Sequence, residues 1–166
     1  MNQSKFISLL LILSAINLTL MIPGGGIDTR NFSQIAPLYL SAFNIFLTTL
    51  GFVSIFLPYF VVKNQRWSLL IAFICGLSYC LVYVFDFAHI FPKSPDRMPK
   101  LLLILEAFGI ILSLPLMFYA IKKYSTIKND QDKIQLSRTI YWLIFIAVLI
   151  GIAIIVFATK SAMTGE

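Results

Sequence analysis
The chain has 166 residues, 59% of them hydrophobic and only 12% charged, with a mean hydropathy of +0.89 and a net charge of +6. Soluble domains are about 45–50% apolar and about 25% charged, so this composition excludes a water-soluble globule, a disordered tail and a secreted disulfide scaffold. The basic residues gather at the ends of apolar runs, so topology accounts for the positive charge and nucleic acid is not expected as a partner.

A membrane-spanning helix needs about 20 mostly apolar residues, and about 17 suffice. Five stretches meet this: residues 6–22, 38–62, 67–91, 101–121 and 140–158. The fold class expected is all-α: a compact bundle of five transmembrane helices with short loops, forming one transmembrane domain over residues 1–166.

The first run follows Lys5 and stops at Pro23-Gly24-Gly25-Gly26, residues that end helices. No A-x-A site follows it, so a retained helix is expected rather than a cleaved signal peptide. Ser14 and Asn17 share one face. The second run carries Ser41, Asn44, Thr48 and Gly51 at helical spacing and gives way to the polar turn Lys63-Asn64-Gln65-Arg66. The third aligns Ala72, Gly76, Tyr79, Tyr83 and Asp86. Its Cys75 and Cys80 point about 140° apart on a helix, so they act as small apolar residues rather than a bridge. The proline-rich connection 92–99 leads into the fourth run, and Pro99 suits a first helical turn. There Glu106, Gly109 and Ser113 share a face. Residues 122–138 form the one long polar segment, read as a charged tether that continues the fourth helix or lies on an anionic leaflet. The fifth run offers Ala147 and Gly151. In lipid, helices associate through small residues and modest polar contacts, so these stripes are expected to face the bundle interior.

Of the 13 basic residues, eight fall on one side of this arrangement (Lys5, Lys63, Arg66, Lys122, Lys123, Lys128, Lys133 and Arg138) and five on the other. The positive-inside rule makes the first side cytoplasmic, with the N-terminus inside and the C-terminus outside. Compactness and short loops suggest a bacterial cytoplasmic membrane.

Four of the seven acidic residues, Asp28, Asp86, Asp96 and Glu106, map to the outer half. Glu106 lies six residues past Lys100, about 9 Å along a helix. A charge at mid-membrane costs about 2.5–3.5 kcal/mol and less near an interface, so Glu106 needs a compensating group. Arg30, in the short glycine-led loop, is the leading partner, because a guanidinium suits bidentate pairing with a carboxylate. Asp86 is the rival. His89 follows Asp86 at i+3. Arg30, Asp86, His89 and Glu106 are therefore the candidate ligand-binding residues, around one outward-facing recess for an ion, a small solute or a lipid headgroup. The structural alternative is an ion-pair cluster that pins the loops onto the bundle.

Catalytic patterns are mostly absent; Asp86 with His89 and a serine, or Asp86 with Glu106 as acid and base, have no distinctive spacing behind them. His89 is the only histidine, which excludes bis-histidine haem ligation and a multi-histidine zinc site. No H-E-x-x-H, G-x-S-x-G, phosphate-loop or C-x-x-C motif occurs. Asn31-Phe32-Ser33 matches a glycosylation sequon beside the membrane. No cofactor and no metal is expected. The partners expected are membrane lipids, with a homo-oligomer or a membrane partner protein. The sequence thus favours a non-enzymatic binding protein, with transport or sensing as an oligomer. A membrane-embedded enzyme acting on lipid or envelope substrates, or an accessory subunit, remains the alternative.

Overall fold
The computed structural model describes residues 2–22, 25–127 and 138–164. Five helices follow in chain order: α1 Gln3–Leu20, α2 Pro37–Val62, α3 Arg66–Phe87, α4 Lys100–Thr126 and α5 Arg138–Thr164. Each is long and apolar enough to cross a membrane. A helix meets the demand of lipid by pairing its backbone groups within the segment.

The helix ends follow local rules. Asn2 caps α1, its side chain accepting from the Ser4 N–H. Pro37 opens α2, where its missing N–H costs nothing. Two helices end on left-handed residues. After α2, Asn64 has φ 57°, and the N–H groups of Asn64 and Gln65 bond to the carbonyls of Val61 and Phe60. After α3, His89 has φ 52°, and the N–H groups of His89 and Ile90 bond to Asp86 and Phe85. Both are Schellman closures. The third helix accordingly stops at Phe87, short of the apolar run's end at residue 91. Conversely, α4 continues to Thr126 and α5 starts at Arg138, so each exceeds its apolar run. Pro23, Gly24 and the middle of the polar segment, 128–137, lie outside the described residues.

Helices α1 and α2 pack as one pair and α3 and α4 as another, joined by α1–α4 and α2–α3 contacts, while α5 meets only α2 among the described residues. Ile7, Leu11, Leu69, Leu116 and the rings of Tyr79 and Tyr83 form the centre. The third-helix stripe is wholly buried, as are Ser14, Asn17, Asn44, Glu106, Gly109, Ser113, Ala147 and Gly151. Gly109 explains how close α3 and α4 come: a Cβ there would lie 2.3 Å from the Tyr83 ring. Likewise, a Cβ on Gly151 would lie 2.7 Å from the Phe52 ring, which lets α5 approach α2. Asn44 ties the same two helices by donating to Thr159 Oγ1 at 3.1 Å. Ser41, Thr48 and Gly51 depart from the expectation, each being only half-buried, and the Ser41 hydroxyl bonds back to the Pro37 carbonyl on its own helix. A serine that satisfies itself locally needs no interior position.

Candidate functional site
The site is built from the α1–α2 loop, the end of α3 and the first turns of α4. It begins with a local turn. The Asp28 carboxylate accepts from the Arg30 backbone N–H at 3.2 Å and from its Nε at 2.8 Å, while Oδ2 accepts from Nη2 at 3.0 Å. The other edge of the guanidinium faces α3. Nη1 and Nη2 each donate to one Asp86 oxygen at 2.8 Å. Arg30 therefore lies between two bidentate carboxylates, the strongest pairing geometry a side chain offers. The Phe32 ring lies 5.1 Å from its Cζ. Exposure is 2% for Asp28, 4% for Arg30 and 8% for Asp86. Burial by itself would lower the Arg30 pKa, but the hydrogen bonds and charges of Asp86 and Asp28 outweigh it and hold the guanidinium above its ordinary value.

The loop is also tied to the connection between α3 and α4. The Asn31 N–H donates to Asp96 Oδ2 at 2.8 Å, and Ser94 Oγ donates to the Asn31 carbonyl at 2.8 Å. Asn31, the sequon residue, thus sits in a bonded turn.

Glu106 lies beside this cluster at 0% exposure. Neither of its carboxylate oxygens receives a hydrogen bond from an N–H or O–H donor among the described residues. Asp86, Arg30 and Asp28 are the charged groups around it. Two carboxylates facing each other can bond only if one of them holds a proton. Below them, Asn17 of α1 donates from Nδ2 to Tyr83 Oη at 3.3 Å and to the Leu105 carbonyl at 3.1 Å. The polar groups therefore run from the loop into the bundle through α3, α4 and α1.

A cavity of about 30 Å³ opens on the cluster, with Asp28, Arg30, Asp86 and Tyr83 in its wall. Leu18, Met21, Asn44 and Leu47 belong both to that wall and to a neighbouring apolar cavity of about 80 Å³ between α1, α2 and α5.

Of the four residues singled out in the sequence, the structure joins Arg30 to Asp86 and sets Glu106 beside them. It does not bring His89 in. That residue is exposed, ends α3 and borders a separate surface recess with Lys93, Asp96 and Arg97. The helical spacing from Asp86 to His89 does not apply, because the helix has ended between them. The leading pairing, Arg30 with Glu106, is replaced by Arg30 with Asp86 and Asp28. Asp28, Asn17 and Tyr83 were not singled out as site residues. The signal available for Asp28 was its position two residues before Arg30 in a glycine-led loop, where an Asx turn folds one side chain onto the other. Among the described residues, no group of three or more His, Cys, Asp or Glu side chains could hold a metal ion.

No curated protein and no solved structure matches the chain. Residues 3–134, which hold α1 to α4 and all the residues of this site, match a family described as a domain of unknown function (DUF8051). That stretch is most of the 166 residues, and the chain belongs to this family.

Proposed function
We propose that this chain is a multi-pass protein of a bacterial cytoplasmic membrane that binds a small ligand in the recess lined by Asp28, Arg30 and Asp86, with Glu106 beside it. The N-terminus is cytoplasmic, the C-terminus is outside, and the recess opens on the outer side. The charge count of the connections supports that orientation.

The observation that carries the reading is Glu106, a fully buried carboxylate without a donor among the described residues, beside an arginine already committed to two other carboxylates. Arg30 has at most one N–H unused, so the cluster has little to offer an anion. Three acids to one cation favour a ligand that brings a positive charge or hydrogen-bond donors, such as an amine. The apolar cavity beside the cluster suits the hydrocarbon part of such a ligand. Intramembrane ionisable groups without structural compensation are functional candidates by default.

Native mass spectrometry in mild detergent tests this on wild type, Glu106→Gln and His89→Ala. An amine-bearing adduct present in wild type and His89→Ala and lost in Glu106→Gln is the result expected. An adduct-free mass in all three would leave the cluster as a structural staple. Thiol labelling of Lys93→Cys and Lys122→Cys from each side of sealed vesicles checks the orientation.

A further inference from the structure
The opposite end of the bundle holds two cations that meet no carboxylate among the described residues. Lys123, in the last turns of α4, is 8% exposed, turned inward rather than out toward water. Its ammonium donates to Ser4 Oγ, in the first turn of α1, and Ser4 Oγ donates in turn to Asn64 Oδ1 at 2.7 Å. Two residues on, Arg66 opens α3, with its guanidinium carbon 4.6 Å from the ring centroid of Tyr124, the neighbour of Lys123. The Arg66 Nε is buried and has no hydrogen-bond partner among the described residues. Neither cation has a carboxylate partner among the described residues, where the two ion-paired acids are Asp28 and Asp86 at the other end.

The placement is electrostatically unfavourable as it stands. A helix N-terminus carries a partial positive charge, yet Lys123 sits on that of α1 and Arg66 on that of α3. Neither helix has an acidic residue in its first turn, and α3 has no side-chain cap. The nearby basic residues behave differently. Lys63 bonds to Tyr59 Oη at 2.8 Å and lies over its ring, and Lys122 lies over Phe118. Both are exposed residues stacked on their own helices. Lys123 and Arg66 instead each reach across to another helix where the end of α4 meets the starts of α1 and α3, and positive charge in a partly buried site is stabilised by an anion.

We infer that Lys123, Arg66 and the first turns of α1 and α3 form a binding site for a phosphate-bearing anion. The phosphate belongs either to an anionic lipid headgroup or to a free phosphate compound. The site is separate from the outer recess and does not depend on that recess binding anything.

The test uses the full chain, delipidated in detergent and titrated with phosphatidylglycerol, phosphatidylcholine or inorganic phosphate, with binding read by native mass spectrometry and thermal stability. Saturable binding of phosphatidylglycerol over phosphatidylcholine assigns a lipid headgroup, and binding of inorganic phosphate alone assigns a free phosphate compound. Lys123→Gln and Arg66→Gln should each weaken that binding roughly fivefold. Lys123→Arg should retain it, which guards against a variant that fails to fold, and Lys122→Gln should leave it unchanged. Equal binding of both lipids with no response to phosphate would overturn the proposal. So would an equal loss in Lys122→Gln, which would indicate diffuse charge attraction. A loss of stability in Asp130→Asn/Asp132→Asn that no lipid or phosphate modifies would assign the counter-charge to the chain itself and likewise overturn it.

Discussion

Removing Arg30 tests the charge arrangement of the outer cluster most directly. Arg30→Met keeps much of the apolar stem over Phe32 but leaves Asp28 and Asp86 buried without their cation. Deleting one partner of a buried ion pair costs about 3–5 kcal/mol, because the other is left uncompensated. With Arg30 at 4% exposure, solvent screening reduces this little. Glu106→Gln should behave in the opposite way. No donor among the described residues is lost, since none of them reaches its carboxylate, and an unsatisfied buried acid is replaced by an amide that can donate to Asp86. That change should be neutral or should stabilise by up to about 1–3 kcal/mol. In the Arg30→Met background the same substitution should help more, by about 0.5–3 kcal/mol, because both residues act on Asp86. Reversible unfolding of the four proteins in mixed detergent micelles, with mass spectrometry confirming that no ligand is bound, measures all three quantities. An Arg30→Met cost below about 1 kcal/mol would refute the burial argument. Glu106→Gln destabilising as much as Arg30→Met would show that Glu106 receives a donor after all.

Four further outcomes are expected. Gly109→Ala places a methyl group against the buried Tyr83 ring and should cost about 1–3 kcal/mol, whereas Gly76→Ala, 2.8 Å from the flexible Met117 side chain, should cost less; comparing the two unfolding free energies checks this. Asn17→Leu removes the donor shared by Tyr83 and the Leu105 carbonyl and should cost about 0.6–1.7 kcal/mol in the same assay. His89→Gly relieves a left-handed backbone and should stabilise by about 1 kcal/mol while leaving the outer cluster's binding unchanged. The fourth concerns pH. A folded-state pKa raised above the unfolded one contributes fully below the unfolded value and is lost only as pH rises through the folded value. For Arg30 that loss lies above arginine's ordinary range, so the difference in stability between wild type and Arg30→Met should not fall between neutral and moderately alkaline pH.

Much of the fold is legible in the residues because lipid imposes a simple rule. Backbone groups must be paired within the segment, so an apolar run of sufficient length becomes a helix. The interior faces were legible too. Ala72, Gly76, Tyr79, Tyr83 and Asp86 repeat at helical spacing, and all are buried. Glu106 stood out as an acid too deep to be left alone. What spacing could not give was the helix end at Ala88–His89, where two hydrogen bonds override the apolar pattern and send the histidine to the surface. Nor could it give the self-paired Ser41 or the double claim on Arg30, since Asp28 reaches that guanidinium through loop conformation rather than periodicity.

The sequence by itself determined five apolar helices, most of the small and polar positions they bury, and the deep placement of Glu106. Those properties follow from composition and helical period, which act locally along the chain. Only the tertiary structure decided that Arg30 is claimed by both Asp28 and Asp86, that Glu106 has no donor among the described residues, and that Lys123 meets Ser4, which in turn meets Asn64. Each of these depends on side chains from different elements reaching the same few ångströms, and a guanidinium flanked by several acids is claimed by those whose backbone brings them into bidentate register.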